Sequence, residues 1–227
     1  MQSYTIHFIR HGFTQGNLDG KYIGSTDLPL CDEAKAQLLE LKRQYTYPRA
    51  AVYYSSPMKR CTETLELLYP EAAPILVNDL RECSFGDWEG KTVEELNGSE
   101  TFRKWMEGEE AVTPPNGESS MRFMHRVCAA FEKLVEGMLR TNTSSAVVVA
   151  HGGTIMAILA AYGLPRAEFA DWMMDSGCGY SIRITPGLWM RSMVAEVYDL
   201  LPQGIRELPE SPYFADKEEF SAQKAGE

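Results

Sequence analysis

The chain has 227 residues, of which 44% are hydrophobic and 24% are charged, and its formal net charge at pH 7 is −10. A chain of this size can bury one substantial core, so we expect one domain over residues 1–200 and an irregular arm and tail over 201–227. The negative charge argues against nucleic acid or an anionic membrane as a partner, because both attract a basic surface.

The first residues, MQSYTIHFIRHG, lack the basic start, the long apolar stretch and the cleavage site of a signal peptide. We therefore expect a cytoplasmic protein. The cysteines are odd in number and widely spaced, which predicts reduced thiols rather than disulfides or a zinc site. They stand at positions 31, 61, 83, 128 and 178.

Short β-branched or aromatic runs alternate with helical periodicity along the chain. The predicted strands cover 4–9, 51–54, 146–150, 180–184 and 194–200, and the predicted helices cover 32–45, 58–69, 119–140 and 154–162. The third helix has its predicted buried face at Phe123, Val127, Ala130, Phe131, Leu134, Val135 and Met138. This alternation predicts a three-layer α/β/α fold with a mostly parallel central sheet.

Basic and imidazole side chains follow three of the predicted strands. Arg10 and His11 come at the end of the first strand, and His151 and Gly152 come where strand 146–150 meets a helix. The backbone N–H groups at that helix start, including that of Gly152, can bind an anion. Arg60 opens the helix after strand 51–54. Because ligands bind at the carboxyl ends of parallel strands, we expect these residues to form one anion site.

This set of residue types suits phosphoryl transfer. A neutral imidazole at His11 can attack phosphorus in line, and the planar guanidinium groups of Arg10 and Arg60 match the phosphate oxygens. His151 would add a further donor. We therefore expect a phosphorylated small molecule as the partner, with no metal ion and no cofactor.

An acid is also required, because the leaving alkoxide must be protonated. Glu82 follows the strand-like stretch ILVND and is our first candidate. From the residues alone, Asp87 or Glu89 in the turn-rich loop that follows would be nearly as good.

In these motifs the chain resembles the histidine phosphatase superfamily, in the branch that contains cofactor-dependent phosphoglycerate mutases and small-molecule phosphatases. The resemblance spans about residues 4–200. It rests on Arg10-His11-Gly12, Thr14, Asn17, Gly24, Asp27-Leu28-Pro29-Leu30, Ser55-Ser56-Pro57, Arg60, Thr64, Leu80-Arg81-Glu82, Gly86, Glu89-Gly90 and His151-Gly152. The resemblance implies that His11 becomes phosphorylated and that Glu82 is the proton donor. It also implies that the phosphoryl group is held by Arg10, Asn17, Arg60 and His151.

Two positions depart from the pattern of the superfamily. Phe13 stands where an acidic or amide residue usually follows Arg-His-Gly, and we expect it to alter the wall of the substrate pocket. Ala34 replaces the usual glycine early in the first predicted helix, where alanine favours the helix by ~1 kcal/mol.

Other enzyme classes fit the sequence poorly. The stretch Gly86–Thr92 has three residues between its glycines, whereas a phosphate-binding P-loop requires four. A metal site built from His7 and His11 fails because four steps along a strand separate them by roughly 13 Å. The four tryptophans could line a pocket for a ring-bearing substrate, but core packing is the better expectation for each.

The expected function is hydrolysis of a small phosphorylated metabolite. Three stretches look most like those of α-ribazole phosphatases, namely Gly20-x-Tyr22-x-Gly24-x-x-Asp27-x-Pro29, Phe85-Gly86-Asp87-Trp88-Glu89 and Asn116-Gly117-Glu118. Phosphoglycerate mutase activity is the first alternative, although the stretch between Glu82 and the helix at 119 is short for a mutase. A non-catalytic protein that binds phosphorylated ligands is the second, although none of the expected site residues is missing. The oligomeric state stays open, with a homodimer as one option.

Overall fold

The computed structural model of the protein describes residues 2–108 and 112–205. Its centre is a seven-stranded sheet with the strand order β3-β2-β4-β1-β6-β7-β5. The strands are β1 Tyr4–Arg10, β2 Val52–Ser55, β3 Ile75–Leu76, β4 Ser145–Ala150, β5 Gly163–Leu164, β6 Gly179–Ile184 and β7 Ala195–Leu201. Within the described residues, β6 alone pairs antiparallel with its neighbours. The prediction of a mostly parallel sheet is therefore confirmed.

Eight α-helices accompany the sheet in the described part of the chain. They are α1 Gln15–Leu18, α2 Asp32–Gln44, α3 Lys59–Leu68, α4 Val93–Leu96, α5 Glu100–Met106, α6 Ser120–Thr141, α7 Gly152–Tyr162 and α8 Pro186–Ser192. The four predicted helices correspond to α2, α3, α6 and α7, and their ends differ from the prediction by two residues at most. The buried residues of α6 are the seven that its periodicity predicted.

The helices cover both faces of the sheet, as a three-layer fold requires. Side chains of β1 alternate between the faces, because successive residues of a strand point to opposite sides. Ile6 and Phe8 belong to the large core cluster with residues of α6 and α7. Ile9 belongs to the smaller cluster on the other face, with Leu41 of α2 and Leu65 of α3.

The register of the parallel strands brings three strand ends to one level. Arg10 of β1 pairs with Ala150 of β4, and the backbone N–H of His11 donates to the carbonyl of Ala150 at 3.0 Å. On the other side of β4, the N–H of Ser56 donates to the carbonyl of Val149 at 3.0 Å. The residues that follow β1, β2 and β4 therefore meet at a single edge of the sheet.

The last strand, β7, ends at Leu201, which is fully buried. The arm predicted from 201 onward thus begins inside the sheet, and Gln203 then pairs with Thr46 through two backbone hydrogen bonds. The rest of the arm, 206–227, lies outside the described residues. Among the helices that are described, none has the length and apolar character that crossing a membrane requires.

We predict that Phe131→Ala destabilises the protein strongly, because this fully buried ring of α6 contacts the rings of Phe8, Tyr162 and Trp189. Removing a buried phenyl ring typically costs ~3–5 kcal/mol of unfolding free energy. Urea denaturation measures the loss. The matched control is Met121→Ala, whose side chain is 79% exposed on the same helix and should change stability by less than ~0.5 kcal/mol. Equal losses in the two variants would contradict the assignment of the core.

Candidate active site

His11 is the residue at the centre of the site, and it is only 6% exposed. Its Nδ1 lies 2.6 Å from the carbonyl oxygen of Gly12. A carbonyl can only accept, so Nδ1 carries the proton and Nε2 keeps a free electron pair. The pKa of His11 is held well below its ordinary value by burial and then by the charges of Arg60 and Arg10. The imidazole is therefore neutral at physiological pH, as a nucleophile must be.

Arg60 is a fully buried cation beside His11. Its Nη2 and Nη1 donate to the carbonyls of Gly24 at 2.7 Å and Thr26 at 2.9 Å, and its Nε donates to Nδ1 of His151 at 3.2 Å. A guanidinium has five N–H donors, so these bonds leave two for a ligand. The arginine is thus anchored on one side while it keeps donors for an anion.

His151 is the second imidazole of the site, and its ring centroid lies 5.0 Å from that of His11. Its Nδ1 accepts from Arg60, so its Nε2 carries the proton and lies 2.8 Å from Oγ of Ser56. Burial lowers the pKa of His151 well below the ordinary value, with further contributions from His11 and Arg60. His151 is therefore a neutral hydrogen-bond donor, and Ser56, to which the sequence analysis gave no separate role, fixes its orientation.

Arg10 lies at the end of β1 next to the start of α7. Its Nη1 donates to the carbonyl of Met174 at 2.5 Å. A Cβ atom on Gly152 would lie 3.4 Å from the Arg10 Nε, so the guanidinium lies within van der Waals contact distance of the helix start. The pKa of Arg10 is lowered by burial, and the nearby carboxyl groups of Glu82 and Asp175 offset only part of this effect. The structure thus brings Arg10 and Gly152 into the same corner of the site.

Glu82 reaches this corner from the loop after β3. Its Oε2 accepts from the N–H of Gly153 and its Oε1 from the N–H of Cys83, each at 3.0 Å. Burial raises the pKa of Glu82, and this effect outweighs the two N–H donors and the charges of Arg60 and Arg10. The carboxyl group therefore keeps its proton to a higher pH than an exposed glutamate. A Cβ atom on Gly153 would lie 2.7 Å from Oε1, so a larger residue at this position would displace the carboxyl group of Glu82.

The other two acid candidates lie in different surroundings. Asp87 is exposed, and its carboxylate accepts from the side-chain amide of Asn116 at 3.1 Å. Glu89 is half-buried and accepts from many donors within one loop region. These are the N–H groups of Gly24, Ser25, Thr26 and Phe85 and the hydroxyl groups of Ser25 and Thr26.

These donors determine what Glu89 can do. Burial acts to raise the pKa of Glu89, but the hydrogen bonds from Thr26 and from the backbone outweigh it, and the pKa is lowered. Glu89 is therefore a poor proton donor. It holds in place the loop whose carbonyls anchor Arg60. Sequence patterns do not reveal this role, because the contacts join residues 63 to 65 positions apart.

Asn17 lies on α1, directly after the strand end that carries His11. Its Oδ1 accepts from the backbone N–H of Thr14 at 2.9 Å and from the Thr14 hydroxyl at 3.0 Å. The Thr14 side chain in turn caps the helix. These bonds orient the side chain of Asn17 and leave its Nδ2 group as the donor for a ligand.

The two departures from the superfamily pattern meet in one small core cluster. Phe13 is 9% exposed and packs with Leu30, Ala34 and Leu38. Phe13 and Ala34 thus contribute to the packing of α2 below the site, and an effect of Phe13 on the substrate pocket stays a prediction.

Three of the four tryptophans are buried, as the packing expectation required. They are Trp88, Trp172 and Trp189. Trp105 is half-buried and forms an edge-to-face cluster with the half-buried rings of Tyr22 and Phe85. A Cβ atom on Gly24 would lie 2.9 Å from the Phe85 ring, so this cluster lies next to the loop that anchors Arg60.

Comparison with known proteins agrees with this geometry. A sequence model described as the histidine phosphatase superfamily (branch 1) matches residues 6–195. The chain belongs to this superfamily.

Two curated relatives carry different activities in their names. The chain is 29% identical over 184 residues to the adenosylcobalamin/α-ribazole phosphatase of Escherichia coli K12, which covers 79% of this chain and 89% of the relative. It is 30% identical over 159 residues to the 2,3-bisphosphoglycerate-dependent phosphoglycerate mutase 2 of Gloeobacter violaceus, with coverage of 66% and 72%. The relatives thus include both phosphatases and mutases.

The fold is also similar to solved structures. The α-ribazole phosphatase from Shigella flexneri superimposes with a TM-score of 0.74 at 24% sequence identity, over 91% of this chain and 99% of that chain. This similarity confirms the fold.

We predict that Glu89→Gln weakens the binding of phosphate or vanadate about 10- to 100-fold, since an unsatisfied buried donor costs ~1–3 kcal/mol and ~1.4 kcal/mol is tenfold in affinity. The amide nitrogen of Gln presents hydrogens to the loop's N–H donors, so the carbonyls that anchor Arg60 lose their support. Isothermal titration calorimetry measures the affinity. The control is Asp87→Asn, which changes an exposed carboxylate of the same loop and should leave the affinity unchanged. Unaltered binding by Glu89→Gln would contradict this role.

Proposed function

We propose that the protein is a phosphomonoester hydrolase that acts on a small phosphorylated metabolite through a phosphohistidine at His11. The observation that carries the proposal is the tautomer of His11, whose Nδ1–H donates to the Gly12 carbonyl. This bond leaves the Nε2 electron pair free in a pocket whose positive charge comes from Arg10 and Arg60. A neutral nucleophile beside two cations suits attack on a dianionic phosphoryl group.

The reaction proceeds in two steps in this proposal. Nε2 of His11 attacks phosphorus, the bond from phosphorus to the leaving oxygen breaks, and the proton of Glu82 passes to that oxygen. A water molecule then attacks the phosphohistidine while the Glu82 carboxylate accepts its proton, which releases inorganic phosphate and restores both residues.

The phosphoryl oxygens need donors that compensate their charge. Arg10 and Arg60 supply them in the proposal, together with the amide of Asn17 and the N–H of Gly152. The Nε2–H of His151 joins them when it exchanges the Ser56 oxygen for a phosphoryl oxygen. Because these groups neutralise the charge that develops during transfer, the proposed reaction needs no metal ion. A cytoplasmic location and the absence of a nucleic-acid or membrane partner belong to the same proposal.

For the substrate we propose α-ribazole 5′-phosphate as the first compound to test. The name of the Escherichia coli relative supports this choice. The half-buried rings of Tyr22, Phe85 and Trp105 support it as well, since aromatic side chains can stack on a ring-bearing leaving group next to the phosphate.

Phosphoglycerate mutase activity is the second candidate, and the relative from Gloeobacter violaceus favours it. The two activities differ in where the phosphoryl group goes. A hydrolase releases inorganic phosphate, whereas a mutase converts 3-phosphoglycerate into 2-phosphoglycerate with little release. Assays of both substrates on the same preparation separate them, and a protein that binds phosphate but turns over neither compound nor a generic aryl phosphate would be the non-catalytic alternative.

We predict that His11→Ala abolishes turnover, because the Nδ1 of His151 is engaged by Arg60 and His151 cannot replace the nucleophile. Rapid quenching with labelled substrate should trap an acid-labile, alkali-stable phosphoprotein in the wild type and none in the variant. His125→Ala, which changes an exposed histidine of α6, should retain full labelling. Labelling of the His11→Ala protein would refute the covalent step.

We predict that Glu82→Gln slows phosphorylation of the enzyme strongly with alkyl phosphates and far less with nitrophenyl phosphate, because an aryl oxide can leave without a proton. Positioned acid catalysis typically contributes ~10²–10⁴-fold. Single-turnover kinetics measure the step without interference from slow dephosphorylation. Equal losses with the two substrates would reject Glu82 as the acid and return attention to Asp87.

The shifted pKa values of His11 and Glu82 predict how the reaction rate changes with pH. The wild-type rate should fall as pH decreases through the lowered pKa of His11, which must be neutral, and as pH increases through the raised pKa of Glu82, which must be protonated. In Glu82→Gln the fall at higher pH should disappear. Ionisation of the substrate is common to both proteins and cancels in the comparison.

A further inference from the structure

Arg126 is a partly buried arginine of α6. Among the described residues, none of its hydrogen bonds reaches His11, Arg10 or Arg60. Its Nε and Nη2 form a two-point ion pair with the carboxylate of Glu118, at 2.9 and 2.6 Å. The side chains of Arg126 and Glu118 are 21% and 15% exposed. The mechanism proposed above does not use this pair.

The remaining donors of Arg126 reach the segment that leads into Glu82. Its Nη1 donates to the carbonyls of Asp79 at 2.8 Å and Arg81 at 3.0 Å. Its Nη2 also lies 3.5 Å from the carbonyl of Glu82 itself. The guanidinium of Arg126 therefore bonds the carbonyls of the peptide groups just before and just after the Cα of Glu82. The orientation of these peptide groups sets the direction of the Glu82 side chain.

We propose that Arg126 is a positioning residue for Glu82, a role that rests on the function proposed above. A short 3-10 helix covers Asn78–Leu80. Residues 81 and 82 follow it and join no sheet, so no ladder of backbone hydrogen bonds fixes their carbonyls. Arg126 supplies the missing donors from a helix that is itself anchored in the core. The Glu82 carboxyl thereby stays at the distance that proton transfer requires.

A second set of contacts holds the same place from the other side. The N–H of Glu118 donates to the carbonyl of Ser84 at 2.8 Å, so Glu118 fixes the chain just after Glu82 while its carboxylate holds Arg126. The Thr154 hydroxyl lies 3.4 Å from the carbonyl of Arg81. These contacts fix the backbone before and after Glu82, and the N–H groups of Cys83 and Gly153 fix its carboxyl group.

Only arginine can make this arrangement. The planar guanidinium binds a carboxylate with two parallel N–H donors and still has donors on its other edge for carbonyls, whereas lysine presents one small ammonium group. We therefore expect Arg126→Lys to keep the charge but to lose part of the positioning.

The expected effect depends on the leaving group. Misplacement of a catalytic group by about 1 Å can cost ~10²-fold in rate. Arg126→Gln should therefore slow phosphorylation of the enzyme by an alkyl phosphate by about 10- to 100-fold, whereas the rate with nitrophenyl phosphate should change little. The ratio of the two rates does not depend on how much of the protein is folded, so partial loss of stability cannot imitate the result.

The experiment is single-turnover phosphorylation of the full-length protein by an alkyl phosphate and by nitrophenyl phosphate. It compares wild type, Arg126→Gln, Arg126→Lys and the double variant Arg126→Gln/Glu82→Gln. The control is Arg122→Gln, which removes the same charge from an exposed site one turn earlier on α6. The alkyl-to-aryl ratio should fall in Arg126→Gln, fall less in Arg126→Lys and stay unchanged in Arg122→Gln.

The double variant decides between positioning and general structural support. If Arg126 acts through Glu82, the double variant should be no slower than Glu82→Gln, because the acid is already absent. Additive losses, or equal losses with both substrates in Arg126→Gln, would overturn the proposal. Failure of the proposed function looks different, since the wild type itself would then form no phosphohistidine.

Discussion

The burial of one positive charge, the guanidinium of Arg60, is the constraint on which the rest of the site depends. Removing such a charge from water costs several kcal/mol unless its donors find acceptors. Two carbonyls of the loop 24–26 and the ring of His151 provide them. That loop keeps its shape through the many bonds that Glu89 accepts. Two loops and a histidine ring are therefore arranged around a single cation, which retains donors for an anion.

The same enclosed pocket sets the protonation of groups with opposite tasks. Desolvation disfavours every charged form, so it lowers the pKa of His11 and raises that of Glu82. The imidazole is therefore neutral at physiological pH, and the carboxyl group keeps its proton to a higher pH than an exposed glutamate does. The cations add to this effect at His11 and oppose it at Glu82, where burial is the larger influence. One environment thus favours the neutral form of both groups, which is the form that the proposed mechanism requires of each.

The features of the fold and the site that depend on neighbouring residues could be predicted from the sequence. Strand ends, long amphipathic helices and the residues at the strand ends follow from periodicity, and they located Arg10, His11 and His151. The short helices α1, α4, α5 and α8 were missed because four to seven residues are too few to reveal a period. The roles of Ser56, Glu89 and Arg126 were missed for another reason. Each depends on partners distant in sequence, and the sequence alone does not disclose such pairings.

The contact between Glu118 and Ser84 has a consequence for how this fold changes over evolutionary time. It closes the chain at the base of the stretch 85–117, whose described part includes a small core of its own around Trp88, Leu96 and Phe102. Within this stretch Glu89 must stay, because its carboxylate holds the loop that anchors Arg60. The residues around the small core can vary in length and composition while Glu82 and His11 keep their places. This part of the chain is therefore where we expect substitutions to change substrate specificity without displacing Glu82 or His11, and directed evolution of specificity should begin there.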